Sequence, residues 1–191
     1  MRNIILQEFV TLDGLAAGPN ASVDFVPAST RDDRSFEQHQ LRFAETIDTI
    51  LLGRVTYRMF ADYWPTATME TDKAADMLNT TPKIVFSKTL DRAPWGKWAE
   101  ASVVKTDAVE ALAKLKAQSG KDMVLWGSIS LARSLMQAGL IDQYQLVVCP
   151  LVLGRGTPLF GDNAPEIELK LLETKRFDRD AVVLKYIPSG R

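Results

Sequence analysis

A single cysteine stands in a chain of 191 residues. That excludes an intrachain disulfide framework and a zinc site built on several thiolates. The residue, Cys149, lies in the apolar run Leu146-Val147-Val148-Cys149 and reads as a small buried hydrophobe. Histidine is equally scarce. With His39 alone, a histidine-rich metal site and a Ser-His-Asp triad both fit poorly, and His39 is expected to face solvent from a helix. No apolar run approaches the roughly 20 residues that cross a bilayer. The N-terminal Met1-Arg2-Asn3-Ile4-Ile5-Leu6-Gln7-Glu8 meets charge too early for a signal peptide, so a cytoplasmic protein without a membrane partner is expected. Basic runs and tails are missing as well. Lys+Arg number 23 against 24 Asp+Glu, a net charge of −1, which argues against nucleic acid as a partner. A small anionic ligand needs only a local cluster, and overall balance does not exclude it.

What is present suits a globular domain: 46% of residues are hydrophobic and 25% charged, which argues against disorder. Residues 1–191 contain no repeat, low-complexity tract or linker and are expected to form a single domain. Asn3 to Thr11 reads as a strand ending in the turn Leu12-Asp13-Gly14. Leu15 to Arg34 shows no periodicity and is read as an irregular binding loop or lid. Ser35 to Thr46 reads as a helix, with Phe36, Gln40, Phe43 and Ile47 on one side. Ile50 to Gly53 is a buried strand and Thr56 to Tyr63 a helix stopped by Trp64-Pro65-Thr66. Asp72 to Asn79 is a short helix, Lys83 to Ser87 and Ala101 to Lys105 are strands, and Asp107 caps a helix running to Gln118. Asp122 to Ser128 repeats the order apolar strand, glycine, hydroxyl, and a helix follows from Ser130 to Ala138. Ile141 to Leu153 is read as a long strand interrupted at Pro150, and Glu168 to Thr174 with Ala181 to Ile187 as an antiparallel hairpin. The alternation predicts an α/β fold: a mainly parallel sheet, helices on both faces, and antiparallel strands at the C-terminus.

Open sheets of this class bind ligands outside the carboxyl ends of their strands. Gly53-Arg54-Val55-Thr56, Ser87-Lys88 and Gly127-Ser128 all fall at such ends. Two of them join glycine to a helix start, where free backbone N–H groups suit a pyrophosphate. The third offers a hydroxyl and a cation that suit an added phosphate such as the 2′-phosphate of NADP. The spacing is neither G-x-G-x-x-G nor G-x-x-x-x-G-K-[ST], so the usual dinucleotide fingerprint and the ATP-binding phosphate loop are both missing.

Taken in order, Leu12-Asp13-Gly14, Leu52-Gly53-Arg54-Val55-Thr56-Tyr57, Lys83-Ile84-Val85-Phe86-Ser87-Lys88-Thr89-Leu90, Trp126-Gly127-Ser128 and Leu140-Ile141-Asp142 with Pro150 to Phe160 resemble the dihydrofolate reductase-like superfamily. The similarity is strongest to the branch containing the C-terminal reductase domain of the bifunctional riboflavin-biosynthesis deaminase/reductase. The resemblance implies a dihydrofolate reductase-like fold with a mostly parallel sheet of about eight strands, NADPH as hydride donor, and often a homodimer. It places Gly53, Arg54 and Thr56 at cofactor phosphates, Ser87 and Lys88 at the adenosine 2′-phosphate, and Gly127, Ser128, Ile129 and Leu131 around the pyrophosphate. Related chains often carry Gly-Gly where this one has Gly127-Ser128. Serine keeps the N–H and adds a hydroxyl, while its Cβ limits close approach.

On the substrate side, counting back from Gly53 places Glu37 where dihydrofolate reductases carry a carboxylate that binds the pterin edge and supports proton delivery. Asp13, Asp24, Asp32 and Asp33 are rival acids. Phe9, Leu41 and Trp126 are candidate walls for a flat heterocycle, though residues of these types are more often simply core. The expected activity is NADPH-dependent reduction of a small pyrimidine- or pteridine-like substrate, with 5-amino-6-(5-phosphoribosylamino)uracil as the named candidate. Dihydrofolate reduction and a non-catalytic nucleotide-binding module on the same fold are the alternatives.

Overall fold

In the computed structural model, which describes residues 1–190, the apolar runs form the middle of a nine-stranded sheet. The chain enters through β1 (Ile4–Thr11), turns at Gly14, whose φ of +79° glycine adopts without strain, and makes a short strand β2 (Leu15–Ala17). A single 3-10 turn (Pro19–Ala21) and α1 (Phe25–Thr30) follow. The segment from Leu15 to Arg34, expected to be irregular, is therefore mostly ordered, because Ala16, Ala17, Phe25 and Ser29 find burial. Helix α2 (Arg34–Ala44) starts at Asp33, which caps it by accepting the Phe36 N–H at 2.9 Å. Strand β3 (Ile47–Gly53) passes directly into α3 (Arg54–Tyr63). Ile47 thus opens a strand instead of closing a helix face, and Arg54 occupies the first helical turn instead of preceding it.

A short helix α4 (Ala75–Thr80) leads to β4 (Lys83–Phe86), β5 (Ala93–Trp95) and β6 (Trp98–Val104). Strand β5 contains Pro94 and carries no sequence signal of its own; it forms the sheet edge, where a missing N–H is tolerated. Helix α5 (Ala108–Lys116) is capped by Asp107, which accepts from the N–H groups of Val109 and Glu110. Then come β7 (Asp122–Trp126), α6 (Ile129–Gln137) and β8 (Gln143–Cys149). Strand β8 stops before Pro150 instead of running to Leu153, since proline has no N–H for the ladder. A two-residue strand β9 (Thr157–Pro158) pairs with β2, and β10 (Leu169–Arg176) with β11 (Val182–Pro188) makes the expected antiparallel hairpin.

The sheet order is β10-β11-β8-β1-β7-β3-β4-β6-β5. Neighbours from β8 to β6 run parallel, and the outer pairs are antiparallel. One face packs α5 and α6 around Leu6, Leu112, Leu125, Ala132 and Leu135. The other packs α2, α3 and α4 around Phe43, Ile50, Leu52, Tyr57, Leu78 and Trp126. Among the described residues no helix is long and apolar enough to cross a membrane.

Charge fastens the amino ends of the central strands. The buried Arg2 guanidinium pairs with Asp48 and donates to Thr49 Oγ1 and the Lys121 carbonyl, each at 2.7 Å. Lys116 pairs with Asp142, whose carboxylate also accepts the Ile4 N–H at 2.8 Å. These clamps join β1, β3, β7 and β8 at the end opposite the candidate site.

Candidate active site

Because β7, β3 and β4 are neighbours running parallel, Gly127-Ser128, Gly53-Arg54 and Ser87-Lys88 come to lie side by side on the carboxyl edge. A hydroxyl network fixes their backbone. Ser128 Oγ accepts the Gly53 N–H at 2.7 Å and donates to the Trp126 carbonyl at 3.0 Å. The buried Thr56 Oγ1 accepts the Ser128 N–H at 2.8 Å. Gly127 and Ser128 both have positive φ, +52° and +56°. At Gly127 a Cβ would meet Thr56 Oγ1 at 2.9 Å, so this position admits only glycine without displacement. The Ser128 hydroxyl is therefore used between strand ends and is not presented to a ligand. Thr56 has its acceptor committed, and its O–H hydrogen is what an anion could take.

Neither α3 nor α6 has a side-chain cap. Their first N–H groups are thus available to a ligand, reinforced by the helix dipoles. Ile129 and Leu131 lie in the first turn of α6, both half-buried. Ser87 Oγ accepts the N–H groups of Thr89 at 3.2 Å and Leu90 at 3.1 Å, shaping the turn that exposes Lys88. Arg54 is exposed too, and among the described residues neither cation has an ion-pair partner. The arrangement offers two helix N-termini and two free cations on one edge.

The acids separate by what already holds them. Asp13 accepts from Thr11 Oγ1 at 2.5 Å and from the N–H groups of Leu153 and Gly154, and these bonds, the Thr11 hydroxyl first, hold its carboxyl below the usual range. Burial alone would raise Asp33, but bonds from Phe36, Ser35 and Arg179 outweigh it and keep the carboxylate ionised. Asp24 is exposed and bonded to Ser22 Oγ, and Asp32 is exposed with φ +59°. Replacing Asp33 with alanine is expected to cost about 2 kcal/mol, since it removes a buried cap; the midpoint of urea unfolding measures it. Glu37 remains, half-buried in the first turn of α2. On a helix it shares a flank with Gln40 and Leu41.

That flank meets β1. Gln7 and Gln40 exchange amide hydrogen bonds of 2.8 and 3.2 Å, and the Trp126 indole donates to Gln7 Oε1 at 2.6 Å. Trp126 is nearly buried, with the Phe60 ring 6.5 Å away; Phe9 is half-buried against Phe36; Leu41 is 39% exposed. The structure thus brings Trp126 and the α2 flank together through Gln7, a residue with no role in the sequence reading.

Two residues correct or extend that reading. His39 does not face solvent. It is buried against Phe177 and Gln145, and burial, aided by Lys185, pushes its pKa down to about 4. Glu8, on the opposite face of β1 from Gln7, is buried, with Oε2 unpartnered. Burial pushes its pKa up to about 8 against the smaller opposing pull of the Phe9 and Gly127 N–H groups. The signal was available: Gln7-Glu8 interrupts an otherwise apolar strand.

The sequence model of the RibD C-terminal domain matches residues 2–183. The chain belongs to the RibD C-terminal domain family. Among relatives, the uncharacterized protein YyaP of Bacillus subtilis is 34% identical over 191 residues, covering 99% of this chain and 96% of YyaP. RibD of Acinetobacter baumannii superposes with a TM-score of 0.67 at 16% identity, over 99% of this chain and 58% of that one. Dihydrofolate reductase of Enterococcus faecalis, solved with NADP(H), superposes with a TM-score of 0.61 at 14% identity, over 98% of this chain and 96% of that one. The RibD-type domain described above therefore has the dihydrofolate reductase-like fold, as the sequence resemblance implied.

Proposed function

We propose that the chain is an NADPH-dependent reductase of a small pyrimidine- or pteridine-like heterocycle, with 5-amino-6-(5-phosphoribosylamino)uracil as first candidate. The observation that carries the reading is the line of anion-ready turns at the ends of β7, β3 and β4. Its support comes from the family and from the NADP(H) held by a reductase of the same fold. The residues present fit such a group: the uncapped starts of two helices and two exposed cations without ion-pair partners lie along one sheet edge. Bound NADPH supplies a hydride. Ile129 and Leu131 would offer first-turn N–H groups to the pyrophosphate, on turns whose shape Gly53, Gly127 and Ser128 fix; Arg54, Ser87 and Lys88 would meet the remaining phosphates. Phe9, Leu41 and Trp126 would wall the heterocycle and exclude water, and Glu37 would hold the proton delivered to it.

A substrate panel followed at the NADPH absorbance tests the assignment, with oxidation expected on the phosphoribosylaminouracil. Consumption of dihydrofolate alone would move the assignment to that activity, and binding without oxidation across the panel would favour a binding module. Calorimetry showing no NADPH binding to folded protein would sink the reading. Arg54→Ala and Lys88→Ala are each expected to weaken NADPH about tenfold, and NADH less. Equal losses for both nucleotides would remove the phosphate assignments.

A further inference from the structure

Among the described residues the buried side-chain oxygens without a partner are Glu8 Oε2 and Gln145 Oε1. The second has a local account: turning the Gln145 amide over lets its oxygen accept from the His39 ring 3.2 Å away. Glu8 has none, and its position is specific. In the parallel pairing of β1 with β7, Gln7 lies opposite Trp126, which sets Glu8 beside Gly127. Leu6 and Val10, two residues to either side, belong to the core shared with α6, so Glu8 points to that same face. The Gly127 N–H interacts with its carboxyl. The side chain therefore sits against the turn that opens α6, a helix of nine residues with no side-chain cap.

We propose that Glu8 is a positioning residue of the dinucleotide cradle: its buried carboxyl, with Oε2 unpartnered, supports the Gly127-Ser128 turn, and ionising it would put negative charge at the helix N-terminus assigned to phosphate. The inference rests on the reductase reading above. An ionised carboxylate beside Gly127 would compete for the N–H groups and the dipole that an incoming phosphate needs, and in a site with little water the two charges repel strongly. Among the described residues no cation relieves that charge. Its neighbours are uncharged at the carboxyl end of β7 (Trp126 and the Gly127 that follows it), on β8 (Leu146), on the first turn of α6 (Ile129 to Ala132), and on β2 and β9. Arg133 of α6 donates instead to the carbonyls of Pro158 and Leu159, and Asp13 is held by Thr11, Leu153 and Gly154. Arg54 lies at the start of the adjoining helix on the other side of the sheet. A carboxyl that titrates near pH 8 then links proton and phosphate occupancy of the same turn.

Calorimetric titration of NADPH into wild type and Glu8→Gln at pH 7, 8 and 9 tests this, with folding checked by thermal melting at each pH. The amide keeps the shape and the hydrogen-bonding capacity but cannot ionise. Wild-type Kd is expected to rise about tenfold from pH 7 to pH 9, while the Glu8→Gln value stays within about twofold. A merely structural acid would move the melting temperatures with pH and leave the ratio of the two affinities constant. A flat wild-type profile, or parallel weakening of both proteins, overturns the inference and leaves the reductase reading standing. Folded wild type that binds no NADPH at pH 7 overturns both.

Discussion

Gly127→Ala is expected to lose about 2–4 kcal/mol of stability and, on the proposed NADPH assignment, to bind that nucleotide about a hundredfold more weakly. Two costs add. The backbone at φ +52° is strained for any residue with a Cβ, and that Cβ would stand 2.9 Å from Thr56 Oγ1 and 3.0 Å from its Cγ2. Thr56 cannot swing aside cheaply, because it is buried, β-branched and already accepting the Ser128 N–H. Relief must come from the turn itself, which displaces the N–H groups that open α6. Ser128 shows what holding a non-glycine residue in this conformation takes: its hydroxyl is bonded on both sides, to the Gly53 N–H and the Trp126 carbonyl. Alanine at 127 has no such recourse. Urea unfolding and calorimetric titration read the two effects separately, and an unchanged midpoint together with unchanged affinity would refute the account.

Glu8→Gln should stabilise the protein by about 3 kcal/mol at pH 7 and by almost nothing at pH 4. The carboxyl titrates near 4.5 when the chain is unfolded and at about 8 when folded. Below 4.5 it is protonated in both states and its ionisation contributes no difference. Between 4.5 and 8 the unfolded chain releases a proton that the folded one retains, so stability falls by up to about 1.4 kcal/mol per pH unit. Above 8 both states are ionised and the loss is complete. Glutamine removes the whole dependence. The difference in unfolding free energy between the two proteins, followed from pH 4 to pH 9, should therefore grow through this window and then level off. A constant difference would show that burial does not govern Glu8. His39 works at the other end: its folded pKa of about 4 lies below the ordinary 6.5, so its contribution is present above 6.5 and is lost as pH falls through 4. Subtracting one profile from the other cancels this term.

The line of turns was legible because its signals are local. An apolar run meeting Gly53 or Gly127 before a helix marks a strand end wherever it occurs, and alternation implies that such ends share an edge. What decides the chemistry of that edge was less visible, because it depends on pairing. Whether Thr56 faces a ligand or the Ser128 amide is set by two strand ends 72 residues apart in the chain. Gln40 and Gln7 lie on different elements, and His39 is buried by Gln145 and Phe177, far along the sequence. Strand β5 was lost because Pro94 argues against a strand everywhere except at an edge, and only the assembled sheet reveals the edge. The ordered segment after Gly14 was missed for a related reason. Its short strand is completed by Thr157–Pro158, and the Asp13 carboxylate fastens the same turn to Leu153 and Gly154.

The half-buried clamps of Arg2 with Asp48 and of Lys116 with Asp142 divide the labour of the fold. They bind the starts of four strands into a rigid foot, so the opposite rim does not have to carry the cohesion of the molecule. Substitutions at exposed rim positions such as Arg54 and Lys88 are therefore expected to act on ligand binding with little effect on whether the chain folds, while a change at the foot alters folding first. In a lineage that diversifies its substrates, variation should collect at one end of these strands and be purged from the other.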